Sequence, residues 1–246
     1  MLLRYFRIAW AFFSKIFSSF PEIRIAFLPL VVFKLSKCVS LVIMNRIKKN
    51  SRKVKFMTKI NNERIIGFDM DGVLVDHTAM RLKLAAEHGW KLAPEQTPAE
   101  IFNAIIPEPV LENLKHALYS DPEVSLLAPL MPGAKAALEE IKKRGIPYVL
   151  ISKRKNPEAA TNLLKARGLW PDYFNEKNAF FVVGSEGKNP KAVELGVTHY
   201  VDDEIGILEK LPDVEHKFLF DHLGIFDGMD SYKRVTSWPE LMKHLV

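Results

Sequence analysis

Hydrophobic positions along the chain fall into short apolar runs that alternate with amphipathic segments. The runs have the length of buried strands, and they cover residues 65–68, 148–152, 179–183, 199–201 and 216–220. The segments between them repeat at helical spacing, with Pro near their starts and Gly near several ends, at 132–145, 156–168, 190–195 and 237–246. This alternation predicts an α/β fold, a three-layer sandwich around a mainly parallel, Rossmann-like sheet.

A stretch of helical pattern separates the first strand from the rest of this alternation. Apolar residues recur at helical spacing over residues 80–89, 98–105 and 109–119, and Pro98 and Pro109 mark two of the helix starts. We therefore predict a core formed by residues 57–76 and 130–246 and a small all-helical insertion at residues 77–129.

Two carboxylates stand where the first predicted strand ends. Asp69 and Asp71 follow the apolar run directly, and Gly72 allows a tight backbone turn beside them. Open α/β sheets bind ligands at the carboxyl ends of their strands, and like charges this close need a cation or a shared proton. Mg²⁺, which prefers carboxylate and carbonyl oxygens, would satisfy them. An ordinary surface turn is the alternative, although it would not require the flanking apolar residues.

At these residues the sequence resembles the haloacid dehalogenase-like hydrolase superfamily, whose first motif is an Asp-X-Asp-Gly loop after the first strand. The resemblance implies that Asp69 is the nucleophile, which forms an aspartyl-phosphate, and that Asp71 is the general acid/base. The chemistry agrees, since a metal-held carboxylate can attack phosphorus and a second carboxylate can move the protons. The helical insertion resembles the small cap of many members, which closes over the phosphate site.

The same resemblance assigns roles to residues at later strand ends. Ser152, at the end of the second strand, would donate to the transferring phosphoryl oxygen, and Lys188 would hold Asp69 and the phosphate together. Lys191, one turn further on, is the rival for the second of these roles. Asp203 would bind Mg²⁺ directly and Asp202 would do so through water or by orienting the site, although both also suit a helix N-cap. The predicted metal set is therefore Asp69, Asp71 through its carbonyl, Asp202 and Asp203.

Charge is divided unevenly along the chain. Residues 1–60 hold 13 of the 35 lysines and arginines but only one of the 29 acidic residues, which leaves 22 basic and 28 acidic residues in 61–246. The net charge of +6 therefore reports a basic N-terminal extension and does not indicate a nucleic-acid-binding domain. The single cysteine, Cys38, excludes an intrachain disulfide framework and favours a reducing compartment.

Residues 1–56 are basic and apolar and leave several interpretations open. Pro29, Lys34 and Lys37 interrupt the apolar stretch that a signal peptide or a spanning helix would need. An acid-poor amphipathic segment fits a transit peptide or a membrane-surface anchor. Alternatively, translation starts at Met57 and the extension is mis-assigned. We expect a cytoplasmic protein, or a mitochondrial or membrane-associated one if these residues are real.

The predicted function is that of a Mg²⁺-dependent phosphomonoesterase acting on a small phosphorylated metabolite, either a nucleotide or a sugar phosphate. The presence of Asp71 favours a phosphatase over a dehalogenase, which does not need a second carboxylate. The alternative is a non-catalytic protein of the same fold that binds a phospho-ligand or assists assembly at a membrane. The expected partner is a small phosphate ester and not a nucleic acid, with membrane contact only through residues 1–56; the sequence sets no oligomeric state.

Overall fold

The computed structural model describes residues 64–226 and 232–246, so the predictions for residues 1–56 and for a start at Met57 lie outside the described residues. The strands of the described part are β1 (Ile66–Phe68), β2 (Tyr148–Lys153), β3 (Ala179–Val182), β4 (His199–Asp202), β5 (His216–Phe220) and β6 (Lys233–Val235). They form one sheet in the order β3-β2-β1-β4-β5-β6, and every neighbouring pair is parallel. The predicted mainly parallel α/β sheet is confirmed.

Helices follow most of these strands. The α-helices of the described part are α1 (Thr78–Glu87), α2 (Ala99–Ile105), α3 (Glu108–Tyr119), α4 (Pro122–Ser125), α5 (Ala134–Lys143), α6 (Pro157–Ala166), α7 (Lys188–Leu195), α8 (Ile205–Leu208) and α9 (Trp238–Leu245). Short 3-10 helices cover Pro94–Gln96 and Ser185–Gly187. None of the helices in this part of the chain is both long and apolar enough to cross a lipid bilayer.

Both faces of the sheet are covered by helices. Phe68 and Leu150 point to one face, where they are buried with residues of α5, α6 and α9. Ile151 and Tyr200 point to the other face and are buried with residues of α7 and α8. Because successive side chains of a strand alternate between faces, each apolar strand can fill two cores at once. The result is the three-layer sandwich that the sequence predicted.

The helical insertion, α1–α4, has a small core of its own. Leu84, Phe102 and Leu114 are buried together within it, in a cluster separate from the two cores of the sheet. The two connections to the insertion run side by side, since the Asp76 N–H donates to the Pro129 carbonyl at 2.9 Å. Its helical nature agrees with the pattern at residues 77–129, and its role as a cap stays a prediction.

Two details differ from the pattern-based prediction. β6 is not among the strands that the apolar runs predict, because three residues at the sheet edge, paired only with β5, leave too short a signal to detect. Helix α7 begins at Lys188 instead of Pro190. Pro190 therefore falls in the first turn of the helix, where the missing N–H costs no intrahelical hydrogen bond.

Candidate active site

The predicted site residues come from the carboxyl ends of three neighbouring strands. β1 lies between β2 and β4, so the residues that follow these strands share one edge of the sheet. Asp69 follows β1, Ser152 lies near the end of β2, and Asp202 ends β4. The chain builds the sheet outward from β1 in both directions, and such a switch point is where open α/β sheets bind ligands.

The loop after β1 passes directly against the acidic end of β4. Gly72 has φ of +80°, and a Cβ atom placed there would lie 2.0 Å from Asp203 Oδ2. Only glycine permits both this backbone conformation and this close approach. The indole N–H of Trp238 in α9 donates to the Val73 carbonyl at 2.9 Å and anchors the loop.

Lys188 connects the two acidic segments. Its Nζ lies 2.8 Å from Asp69 Oδ1 and 2.7 Å from Asp202 Oδ2, and the side chain is buried. Burial alone would lower the pKa of Lys188, but the carboxylates of Asp202 and Asp69 outweigh it and raise the pKa well above its usual value. The rival, Lys191, instead pairs with the exposed Glu194 at 2.8 Å. The structure thus places Lys188, and not Lys191, among the predicted site residues.

Three buried carboxylates form a candidate metal centre. Asp69, Asp202 and Asp203 each offer an oxygen, and these oxygens lie within 4.8 Å of one another; the described residues contain no other cluster of this kind. Burial and the nearby Asp69 and Glu204 raise the pKa of Asp202 to about 7 against the opposing effect of Lys188. Burial and the neighbouring acids also raise the pKa of Asp203 well above its usual value.

This donor set fits a divalent cation. Carboxylate oxygens are hard donors of the kind that Mg²⁺ prefers, and a cation would offset both the burial and the repulsion that raise these two pKa values. Both oxygens of Asp202 have partners, because Oδ2 accepts from Lys188 and Oδ1 accepts from the Glu204 N–H. An orienting role for Asp202 and a ligand role for Asp69 and Asp203 stay predictions.

Asp71 stands apart from the carboxylate cluster. Its Oδ1 lies 2.6 Å from His77 Nε2 and 2.6 Å from an Arg154 guanidinium nitrogen. Burial alone would raise the pKa of Asp71, but the charge of Arg154 and the hydrogen bond with His77 outweigh it and hold the pKa below its usual range. The sequence analysis identified neither His77 nor Arg154 as a partner of Asp71. Nothing in the pattern of residues 73–77 indicates that the chain turns back to Asp71.

A cavity of about 320 Å³ opens at this edge of the sheet, between the core and the helical insertion. Residues of the core and of the insertion border it. The charged ones that bear on the candidate site are Asp69, Asp71, Arg81, Arg154, Lys188 and Asp203. Arg81, from α1, is held by hydrogen bonds to the Thr97 carbonyl and the Tyr119 hydroxyl. The cavity thus brings the predicted nucleophile, acid/base, lysine and metal ligand together.

Ser152 is buried at the same end of the sheet but does not border the cavity. Its Oγ has no hydrogen-bond partner among the described residues. A buried hydroxyl without a partner carries a desolvation cost, so this atom fits a donor that is paired only when a ligand is bound. Its phosphate-binding role stays a prediction.

An all-parallel sheet with helices on both faces defines an α/β protein, and the buried acids at the carboxyl edge of its sheet could hold a metal ion. Residues 63–205 match the family model for haloacid dehalogenase-like hydrolases. Because the match covers more than half of the chain, this protein belongs to the haloacid dehalogenase-like hydrolases, and the predicted resemblance is confirmed.

Solved structures show the same fold at low sequence identity. A protein from Thermotoga maritima that is proposed to be a beta-phosphoglucomutase has a TM-score of 0.52 and 18% identity, over 74% of this chain and 100% of that one. A family IA, variant 3 hydrolase from Entamoeba histolytica has a TM-score of 0.50 and 15% identity, over 72% and 94%. A hydrolase from Pseudomonas syringae has a TM-score of 0.50 and 16% identity, over 74% and 98%. A search of curated protein sequences finds no match.

Proposed function

We propose that this protein is a Mg²⁺-dependent phosphomonoesterase that acts on a small phosphorylated metabolite through an aspartyl-phosphate on Asp69. The observation that carries the proposal is the position of Lys188. Its Nζ lies 2.8 Å from Asp69 and 2.7 Å from Asp202, inside a cluster of buried acids. A fixed ammonium beside a buried carboxylate holds the nucleophile and offsets charge that develops on a transferring phosphoryl group.

Asp69 and Asp203 would hold the metal ion, with Asp202 orienting them. When bound, Mg²⁺ neutralises charge on the phosphoryl oxygens. Lys188 holds the Asp69 carboxyl group in place at the border of the cavity, and the Ser152 hydroxyl would donate to a phosphoryl oxygen. Asp69 would thus supply the nucleophile, Lys188 a positive charge, Ser152 a hydrogen-bond donor and the carboxylates the ligands of the metal ion. Phosphoryl transfer requires groups of these kinds.

The proposed reaction has two steps. A carboxylate oxygen of Asp69 attacks phosphorus, the bond from phosphorus to the leaving oxygen breaks, and that oxygen takes a proton from Asp71. Asp71 then takes a proton from water, whose oxygen attacks phosphorus and releases inorganic phosphate and the Asp69 carboxylate. The sum is one ester and one water converted to one alcohol and one phosphate.

The size of the cavity favours a small substrate. A volume of about 320 Å³ lies at the lower end of the range for small-molecule sites, and both the phosphoryl group and the leaving group must fit in it. A sugar phosphate or a nucleotide meets this limit. A folded phosphoprotein would have to expose its phosphate on a thin, extended segment.

The first test is the substitution Asp69→Asn, assayed against a panel of phosphate esters with and without Mg²⁺. We expect activity in the parent with Mg²⁺, and a loss of at least about 1,000-fold in the variant because the nucleophile is removed. Acid quench followed by peptide mass spectrometry should find the phosphoryl group on the peptide that contains Asp69. Equal turnover by parent and variant would contradict the proposal.

Lys188 and Lys191 provide a matched pair for the same assay. Lys188→Met removes the buried ammonium and should lower kcat by about 100-fold or more, whereas Lys191→Met removes a surface ion pair and should leave kcat near the parent value. Similar losses in the two variants would argue against a specific role for Lys188.

Metal binding can be measured without activity. Mg²⁺ should raise the midpoint of thermal unfolding of the parent, since a ligand at about 100 times its dissociation constant stabilises the folded state by about 2.7 kcal/mol. Asp203→Asn should raise the midpoint in the absence of metal, because it removes one of three buried carboxylates, and should respond less to Mg²⁺. A full Mg²⁺ response in the variant would exclude Asp203 as a ligand.

A further inference from the structure

One oxygen of Asp71 is engaged by two side chains. His77 Nε2 and an Arg154 guanidinium nitrogen each lie 2.6 Å from Asp71 Oδ1, and both side chains are buried. Neither residue belongs to the carboxylate cluster, and neither has a role in the reaction proposed above. Two donors on one carboxylate oxygen fix the plane and the direction of that carboxyl group.

Arg154 reaches Asp71 because of strand alternation. Its backbone N–H donates to the Val182 carbonyl at 3.1 Å, so the pairing of β2 with β3 continues for one residue beyond Lys153. Alternate residues of a strand share a face, which puts Arg154 on the side of Ser152 and leaves the intervening Lys153 exposed. The order Ser152-Lys153-Arg154 therefore places the Arg154 guanidinium on the same side of the sheet as Ser152.

The helical insertion holds Arg154 from its other side. The guanidinium carbon lies 4.6 Å from the centre of the Tyr119 ring, and a guanidinium N–H donates to the Tyr119 carbonyl at 3.4 Å. The same ring makes an edge contact with His77 at 5.5 Å between ring centres. Tyr119, at the end of α3, therefore contacts both side chains that engage Asp71.

We propose that Arg154 and His77 are positioning residues for Asp71: they hold its Oδ1 and leave Oδ2 as the oxygen that gives a proton to, and takes a proton from, the reacting groups. The assignment rests on the proposed function, because Asp71 is the acid/base of that reaction. In the first step, the minor protonated form of Asp71 gives its Oδ2 proton to the leaving oxygen as the bond from phosphorus breaks. In the second step, Oδ2 takes a proton from the attacking water.

The geometry accounts for the choice of oxygen. Oδ1 already accepts from a guanidinium and from an imidazole N–H, so a proton on that oxygen would face two donors. Oδ2 has no hydrogen bond to a protein group in the described part of the chain, and Asp71 borders the cavity. A fixed Oδ1 therefore presents Oδ2 to a substrate with little freedom to rotate, which is what efficient proton transfer requires.

Leaving-group chemistry provides the test. A p-nitrophenolate leaves without a proton, whereas an alkoxide must be protonated as it leaves. Arg154→Met should therefore slow phosphoenzyme formation from the best alkyl phosphate in the panel by about 10–100-fold, with KM nearly unchanged, because misplacement by about 1 Å can cost this much. The same variant should slow phosphoenzyme formation from p-nitrophenyl phosphate by less than about threefold. Rapid acid quench with Mg²⁺ present measures both rates.

Three further variants separate positioning from folding. Arg154→Lys keeps the charge and should recover part of the rate with the alkyl ester, and His77→Gln should show the same selective loss to a smaller extent. Arg167→Met removes an arginine that donates to the Leu126 and Ala128 carbonyls outside the cavity. It should lower the midpoint of thermal unfolding without changing the ratio of the two rates.

The outcomes distinguish this inference from the function on which it rests. A parent protein that hydrolyses neither ester would overturn the proposed function. A parent that hydrolyses both through Asp69, with equal losses for both in Arg154→Met, would overturn the positioning role alone. A parent that hydrolyses only p-nitrophenyl phosphate would also overturn it, since no acid would then assist the leaving group.

Discussion

Individual residues in this protein are placed by constraints that act over a few ångströms. Asp69 and Asp203 lie 134 positions apart in the sequence yet offer oxygens within 4.8 Å. Gly72 makes this possible, because its missing Cβ leaves room for the Asp203 carboxylate. The backbone at Gly72 thus brings the first acidic loop against Asp203, while Lys188 joins Asp69 to Asp202. A small change in that backbone should therefore alter the site.

The substitution Gly72→Ala tests this packing. We expect it to lower the free energy of unfolding by about 1–2 kcal/mol through its positive φ and to weaken Mg²⁺ binding, since the new Cβ would lie 2.0 Å from Asp203 Oδ2. Gly89→Ala is the matched control, because Gly89 has a similar φ of +86° but no atom within 4 Å of an added Cβ. Urea denaturation and Mg²⁺ titration measure the two effects. Normal Mg²⁺ affinity in Gly72→Ala would show that Asp203 is not confined by this contact.

At the scale of elements, strand ends and helix starts position the candidate site residues, and the helical insertion borders the cavity beside them. Helix α7 starts at Lys188 and so delivers its ammonium to the acids. Helix α8 follows Asp203, and it has no side-chain cap of its own. Instead, Glu100 of α2 accepts from the Gly206 N–H at 2.7 Å, which joins the insertion to the core.

Glu100→Ala should weaken this junction. A charged acceptor on a backbone N–H near a helix start is worth about 1 kcal/mol, so we expect that loss in the free energy of unfolding. Hydrogen exchange at the Gly206 amide should also become faster than in the parent. Glu95→Ala, an exposed acid in the same insertion, is the control and should change neither quantity. Unchanged exchange at Gly206 in Glu100→Ala would contradict the junction.

At the scale of the whole molecule, sheet order decides which residues meet. The order β3-β2-β1-β4-β5-β6 places β1 between β2 and β4. The Asp-X-Asp-Gly loop that begins at Asp69 therefore lies between the ends of these two strands. At the opposite end of the sheet, where the strands begin, two histidines are neighbours. His199 and His216, at the starts of β4 and β5, have ring centres 4.4 Å apart, and His199 also stacks on Phe218.

The histidine pair predicts a pH dependence of stability. Burial, together with repulsion from His216 and Arg64, lowers the pKa of His199 to about 4 from its usual value of 6.5. Between these values the unfolded chain binds the proton and the folded chain does not, so the contribution of His199 is present above pH 6.5 and is lost as the pH falls toward 4. Urea denaturation near neutral pH and again near pH 5 should therefore show a smaller acid-dependent loss for His199→Asn than for the parent. An equal loss in both proteins would contradict this prediction.

The spacing of apolar residues was enough to predict five of the six described strands, most of the described helices and the class of fold. Apolar runs of strand length and repeats at helical spacing are patterns of neighbouring residues, so they can be recognised without knowing any tertiary contact. The Asp-X-Asp-Gly loop at Asp69 and the acidic pair at Asp202 could also be found, because each follows an apolar run directly. The signal failed at β6, where three residues at a sheet edge are stabilised only by pairing with β5.

Tertiary structure alone decided which groups contact one another. The sequence favoured Lys188 over Lys191, but the distances of 2.8 Å and 2.7 Å to Asp69 and Asp202 depend on strand order and on the start of α7. The contacts of His77 and Arg154 with Asp71 could not be predicted, since the connection after β1 must turn back on itself and also meet the end of β2 at one oxygen atom. Local spacing fixes which face a side chain occupies, whereas the identity of its partner depends on the path of the whole chain.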